Sequence, residues 1–474
     1  MPTDDCGLAA RSSQLVATMD LKLIQNVLTS RSGLAQWQVT ELRSRRLERY
    51  LTFLKPESER EATAVRWQVW LAQPALDGKQ GEAAFTVTPA HGGPDLRHLL
   101  AEAEAAAGAA LNPAWRLPAP GEPGVALTWR GGVVACGVSG GAATGAQMAT
   151  SSDFLADQAV TRDPGKALDG AAAGFADAVR AAPWTRPSAI ELFARIEDRR
   201  LVNHRGLDLS ERRTRCYAEF VLLHRPDGAA DEQEFYDQVE AQSLADLRLD
   251  QRVAEAAACL RDGAGAAAPP AGRLPVVISD AYLAGLLGWY AAHADAALHV
   301  RKIAALALDQ PVVVRSGGDA LHLASDANVP SLSAYRFDEH GYAACRQELV
   351  EDGVLTALHG SGRWMQQLGR PPRGQCATLA VPAGSTALAD LRRGALEVVR
   401  FSEFRPRHDT GAFSGEIRFG WWHGPDGSRR PVRGGSVSGV LREAMAEVRF
   451  SRELTTVGGY HGPQAARLTA TVAV

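Results

Sequence analysis

The chain is nearly neutral and contains no long apolar run. Over 474 residues the formal net charge is only −3, so there is no broad basic field to hold nucleic acid or anionic lipid. No stretch approaches the ~18 uncharged apolar residues of a membrane span. The opening MPTDDCGLAARSSQ is acidic and polar where a secretory leader would be basic and then apolar. A cytoplasmic protein without nucleic-acid or membrane partners is expected. Cysteine is sparse as well: Cys6, Cys136, Cys216, Cys259, Cys345 and Cys376 lie far apart, with no C-x-x-C pair. That pattern argues against a disulfide framework or a zinc knuckle and leaves reduced, mostly structural thiols. H-E-x-x-H, P-loop and full dinucleotide fingerprints are missing too, and no repeat of fixed period runs along the chain.

What is present is ordinary for a globular protein, 46% hydrophobic and 22% charged residues, with length enough for about two or three domains. Leu21 to Leu28 reads as a short helix. Gln36 to Phe53, Arg66 to Leu71 and Ala84 to Val87 carry strand signatures, and Asp95 to Ala110 is an Ala/Glu/Leu-rich helix stopping before Asn112-Pro113. The Pro-rich LPAPGEPG from Leu117 closes this unit. A second unit has a strand at Gly124 to Thr128, a helix over Gly165 to Ala181, and strands at Ala189 to Ile196 and Cys216 to Leu223 joined through the turn signal NHRG at Asn203. Between Glu232 and Arg261, Phe235, Val239, Leu244, Leu247, Val253 and Ala257 recur at near-helical spacing, which predicts one or two helices. GAGAAAPPAG, from Gly263 to Gly272, is a linker. Beyond it come a buried strand at Leu274 to Ile278, a helix from Tyr282 to Leu308, and short β-type runs. The expected fold class is α+β: two α/β N-terminal units (1–117 and 118–262) followed by a large β-rich C-terminal domain (273–474).

Few residues announce chemistry. Gly137-Val-Ser-Gly-Gly141 matches the G-x-S-x-G nucleophile elbow around Ser139, but AATGAQMATSS after it is a poor helix for that role; a glycine-rich loop is the expectation. His293 and His299, six residues apart on one helix, are turned roughly 240° from each other and cannot share a metal.

Further motifs occur in a consistent order. Ile190 to Arg215 (IELFARIEDRRLVNHRGLDLSERRTR) and LDQRVAEAAACL come first. Phe337-Asp338-Glu339-His340-Gly341 follows, leading into RQELVEDGVL, then Thr410-Gly411-Ala412-Phe413 and PVRGGSVSGVLREAM. These segments resemble the TldD/PmbA family of bacterial-type peptide-processing proteins, with Glu339 and His340 departing slightly from the family's F-D-x-E-G order. In the family's catalytic branch the helix after the LPVVI strand carries H-E-x-x-x-H, and a cysteine in a C-G segment near the C-terminus completes a zinc site. The two histidines of that motif stand roughly 140° apart on an ideal helix, and the Glu can activate metal-bound water. Here Gly288 stands in place of the first His, Trp289 in place of the Glu and Val457 in place of the cysteine; only His293 matches.

The resemblance therefore implies a PmbA/TldE-type subunit that binds no metal or cofactor itself. It would pair with a TldD-type paralogue bearing the zinc, or with itself, and act on a peptide or peptide-derived substrate. Two alternatives stay open: a stand-alone biosynthetic enzyme with a rebuilt site, for which His293, Asp338, Glu339, His340 and His408 are candidate groups, and a non-catalytic binding or scaffold protein. Phe419, Trp421 and Trp422 are candidates for a dimer interface or for the core.

Overall fold

The computed structural model describes residues 19–129, 132–134, 155–228 and 231–474; Ser139 with its G-x-S-x-G match, Cys6 and Cys136 lie outside them. The chain is α+β and strand-rich, and it forms two compact units.

The first unit comprises residues up to 42, 65–114 and 202–204. Helix α1 (Leu21–Thr29) is capped by Asp20, whose carboxylate accepts from the Leu23 N–H at 2.7 Å. It buries Leu21, Ile24 and Leu28. Strands β1 (Gln36–Thr52) and β2 (Lys55–Pro74) are long; their outer halves, 43–64, belong to the second unit. Antiparallel β3 (Lys79–Val87) pairs with β2, helix α2 (Gly93–Ala109) follows, and β4 (Leu111–Pro113) adds to β3. Trp67, Val69, Leu71, Leu96 and Leu100 form the core. Gly81 lets α2 approach closely, since a Cβ there would lie 1.9 Å from the Ala107 carbonyl oxygen.

The second unit begins with a short hairpin, β5 (Leu127–Trp129) and β6 (Gly132–Val134), in place of the strand expected at Gly124 to Thr128. Helices α3 (Gln158–Arg162) and α4 (Pro164–Arg180) precede β7 (Arg186–Asn203), β8 (Asp208–His224) and β9 (Gln233–Ala241), and helix α5 (Leu249–Gly263) closes the layer. The expectation of helix from Glu232 is wrong in its first half. QEFYDQVEA is buried at every second residue, Phe235, Asp237, Val239 and Ala241. A spacing of four, as between Phe235 and Val239, satisfies a period of 2 as well as one of 3.6. One face of this sheet packs on α4 and α5 through Ile190, Leu192, Phe220, Phe235, Phe175 and Val253.

The LPVVI run is central in β10 (Gly272–Ser279), followed by α6 (Asp280–His293) and α7 (Ala296–Val300). The single helix expected from Tyr282 to Leu308 is thus broken. Asp295 is extended (φ −71°, ψ 123°) and caps α7 by accepting from the Ala297 N–H at 2.8 Å, and Lys302 in the left-handed region (φ 58°) follows its end. Alanine-rich sequence hid a cap that Asp295 alone signals.

A six-stranded sheet then contains β11 (Leu323–Asp326), β12 (Gln347–Glu351) and β13 (Val354–Leu355), with α8 (Gly362–Gln367) leading to β14 (Thr378–Ala380). Helix α9 (Leu388–Arg392) introduces β15 (Ala395–Phe401), β16 (Arg405–Pro406), β17 (Ala412–His423), β18 (Arg429–Val432) and β19 (Ser436–Val440). After α10 (Leu441–Ala444) come β20 (Arg449–Phe450), β21 (Leu454–Val457), β22 (Tyr460–Pro463) and β23 (Ala465–Ala473). Strand β10 pairs with both β15 and β23, and β15–β17–β19–β23 are joined in turn, so the pairing closes on itself and leaves none of these strands an open edge. Helix α6 is apolar on all sides and buried accordingly, through Leu283, Leu286, Leu287 and Tyr290. Phe419 and Trp421 are core residues against β7–β9, and Trp422 is partly buried against the larger core.

Candidate functional site

Helix α6 carries the residues that the resemblance singled out. Trp289 and His293 are four apart, so their rings lie on one face, 4.6 Å between centroids. That face meets the turn between β16 and β17. The Trp289 indole N–H donates to the carbonyl oxygens of Arg407, at 3.1 Å, and His408, at 3.0 Å. His293 Nε2 is 2.6 Å from the His408 oxygen, and His293 Nδ1 accepts from the Ala305 N–H at 3.0 Å. These two bonds fix the neutral tautomer with its proton on Nε2. Burial is the main influence lowering the His293 pKa, opposed by the bond to the His408 carbonyl.

The His408 ring lies 4.6 Å from that of His293, tilted by 50°, but is otherwise exposed. Gly411 (φ +66°) completes the turn; a Cβ there would lie 3.2 Å from the Trp289 ring. The T-G-x-F segment thus needs glycine both for its backbone and for the indole beside it. His299 does not join His293 side chain to side chain: its Nε2 lies 2.9 Å from the His293 backbone oxygen.

These residues do not fit a zinc ion. A ligating imidazole offers a nitrogen lone pair, and in His293 the only one is taken by Ala305. At Gly288 a Cβ would meet nothing within 4 Å, so the first ligand position is open space beside a bare backbone. Val457, at the end of β21 before the turn at Gly458, is partly buried against the core and has no donor atom. Among the described residues no three His, Cys, Asp or Glu side chains gather as a metal site.

Asp338, Glu339 and His340 occupy a second place. Asp338 Oδ1 accepts from the N–H groups of His340 (2.8 Å) and Tyr342 (2.9 Å), closing a tight turn. Gly341 (φ +97°) belongs to it, and a Cβ there would sit 2.3 Å from the Leu207 side chain. Phe337 is buried among Leu201, Leu207 and Leu209. The Arg199 guanidinium lies 4.3 Å from the Phe337 ring, donates to the Phe337 oxygen and pairs with Glu211 at 3.0 Å. The F-D-x-x-G segment is therefore a shaped turn.

One atom of that turn is left over. Asp338 Oδ2 is buried with no hydrogen-bond partner, and burial pushes the carboxyl up to about 7. Glu339 reaches solvent at the edge yet is also raised, chiefly by the protein around it, while Ser361, Arg199 and Arg363 oppose the shift. The His340 ring packs 4.5 Å from Trp115, and burial followed by Arg363 drives its pKa well down. His408 belongs to the α6 group, so the five candidate residues do not form one constellation.

His359 was missed in the sequence. It is buried, with Nε2 2.8 Å from the Ala291 oxygen and Nδ1 accepting from the Cys376 N–H at 3.2 Å, which ties the end of α6 to β14's approach. Nothing local in sequence marks it. Cys216, Cys259, Cys345 and Cys376 are free thiols, and burial pushes Cys376 up to about 11. No helix among the described residues is long and apolar enough to cross a membrane.

Residues 271–473 match the PmbA/TldA metallopeptidase C-terminal domain. Three solved structures share the fold, each with a TM-score of 0.71. A candidate modulator of a DNA gyrase from Thermotoga maritima is 15% identical, with 96% of this chain and 100% of that one covered. TldE from Thermococcus kodakarensis is 13% identical over 95% and 99%. A candidate modulator of DNA gyrase from Bacteroides thetaiotaomicron is 16% identical over 95% and 97%. No curated protein matches in sequence.

Proposed function

We propose that this chain, whose residues 271–473 match the PmbA/TldA metallopeptidase C-terminal domain, is the non-metal, TldE-like subunit of a heterodimeric metallopeptidase that processes peptides or modified peptides. The observation that carries this is the state of α6: the position of the first ligand is glycine, Trp289 is bound to two carbonyls, and both nitrogens of His293 are engaged with backbone. A TldD-type partner would hold the zinc and its general base. This chain would supply walls and main-chain edges of a peptide cleft, where an extended peptide is held by backbone hydrogen bonds with weak side-chain specificity.

The experiment is co-expression with a TldD-type partner, followed by mass in solution, zinc content and peptide cleavage. The expected result is a complex burying about 1,200–2,000 Å² or more, with cleavage that needs both chains. A monodisperse monomer at micromolar concentration that gains neither mass nor activity from such a partner contradicts the proposal. One observation favours the stand-alone enzyme as second reading: the unpartnered Oδ2 of Asp338, whose carboxyl burial pushes up to about 7, beside Glu339 and His340 in sequence. Peptide turnover by the purified chain alone, abolished in Asp338→Asn, would move the account to it.

A further inference from the structure

The sheet that lays one face on α4 and α5 presents another to solvent. Along it Tyr50 of β1, Phe193 of β7 and Tyr217 of β8 form a ladder, with centroids 5.5 Å and 5.3 Å apart. The hydroxyls of Tyr217 and Tyr236 converge on Gln238 Oε1, at 3.4 Å and 3.0 Å. Tyr236 is 45% exposed, whereas its inward neighbour Phe235 is 7% exposed. Carboxylates interleave with the rings. Tyr50 donates to Glu48 at 2.6 Å and Tyr217 donates to Glu219.

The charge on this face is unbalanced at its centre. Arg46 pairs with Glu48 at 2.7 Å, Arg195 with Glu197 at 2.8 Å, and Arg215 lies between Glu197 (3.7 Å) and Glu240 (3.4 Å). Among the described residues no cation pairs with Glu191 or Glu219. Burial raises the Glu191 pKa, and the nearby carboxylates of Glu219 and Glu48 add to the shift. Like charges held together on a sheet face are destabilising; a cation between them reverses the sign. The chain shows how its rings receive such a group: the Arg46 guanidinium lies 4.7 Å from the Phe193 centroid and Arg60 5.4 Å from that of Tyr50. Tyr217 and Tyr236 carry no such cation among the described residues.

We propose that this face docks a polypeptide segment bearing lysine or arginine, with its cations between Glu191 and Glu219 and over the rings of Tyr217 and Tyr236. The argument is charge complementarity joined to ring faces that already take guanidinium groups elsewhere on the same ladder. The Tyr217 hydroxyl serves one acceptor position of Glu219, but among the described residues neither Glu219 nor Glu191 has a cation to balance its charge. The proposal is independent of the subunit reading.

The test is fluorescence anisotropy with the full chain and a labelled decapeptide alternating arginine and glycine, at low and high salt. The double variant Glu191→Gln/Glu219→Gln should weaken binding about tenfold or more, and Tyr236→Ala a few-fold. A charge-matched control on the C-terminal domain, Glu351→Gln/Glu443→Gln, should leave affinity within about twofold if attraction is local and not due to net charge. Thermal melts establish that each variant folds; if the double variant does not, Tyr236→Ala against the control decides. Absence of saturable binding by the natural chain, or equal weakening by the control, overturns the proposal. So does a shift from dimer to monomer in the Glu191/Glu219 variant with peptide affinity unchanged, which would make the occupant a second copy of the chain.

Discussion

Helix α6 and the turn at 337–342 both hold titratable groups where a catalytic reading would look, and they use them in opposite ways. On α6 the side-chain nitrogens of Trp289 and His293 are all bonded to backbone. At the turn, Asp338 spends one oxygen on two N–H groups and leaves the other buried and unbonded. A histidine can thus be held entirely by packing and backbone bonds, while a motif that shapes a loop can keep a buried carboxyl with a raised pKa. Their pH responses differ in sign. The folded pKa of His293 lies below its ordinary 6.5, so its contribution is complete above that value and is lost as pH falls from there toward the folded value. The Asp338 pKa rises from 3.8 to about 7, so its contribution is complete below 3.8 and is lost as pH rises to about 7.

The strongest way to break this contrast is His293→Ala. It orphans the Ala305 N–H, leaves the His408 oxygen only the Trp289 indole N–H and opens a cavity at a fully buried position, so it should cost about 3–5 kcal/mol in urea denaturation; a loss under about 1 kcal/mol would show that the clamp is unimportant. Asp338→Asn should come next. It keeps the Oδ1 acceptor and should flatten a decline in stability with rising pH of up to about 1.4 kcal/mol per unit. Unchanged pH dependence between 4 and 7, the range set by its shift, would remove the buried carboxyl from the account. Gly411→Ala forces a Cβ toward the Trp289 ring at positive φ and should cost about 1–2 kcal/mol, read as a lower Tm. The smallest effect is expected for Gly288→His. A Cβ there meets nothing within 4 Å, so stability should change by less than about 1 kcal/mol, with no gain of stoichiometric zinc in elemental analysis.

Much of this organisation was legible in the residues. The LPVVI strand, the α2 and α4 helices and the NHRG turn carried their own signals, and ordered motifs across about half the chain pointed to the family. The failures have specific causes. Phe235 to Ala241 was misassigned because a four-residue spacing fits two periods, and the break at Asp295 because alanines on both sides are good helix formers. His359 and the pairing of α6 with the β16–β17 turn depend on contacts more than a hundred or several tens of residues apart in sequence, which no local pattern encodes. Nor could sequence alone distinguish an imidazole with a free lone pair from one already bonded on both sides.

The central claim is that α6 has become structural and that this chain carries no zinc of its own. The most direct measurement is metal content by elemental analysis of the purified, chelator-free chain, alongside His293→Ala. The account predicts no stoichiometric zinc in either protein. About one zinc per chain, as four-coordinate sites in metallopeptidases hold it, lost in the variant, would contradict it.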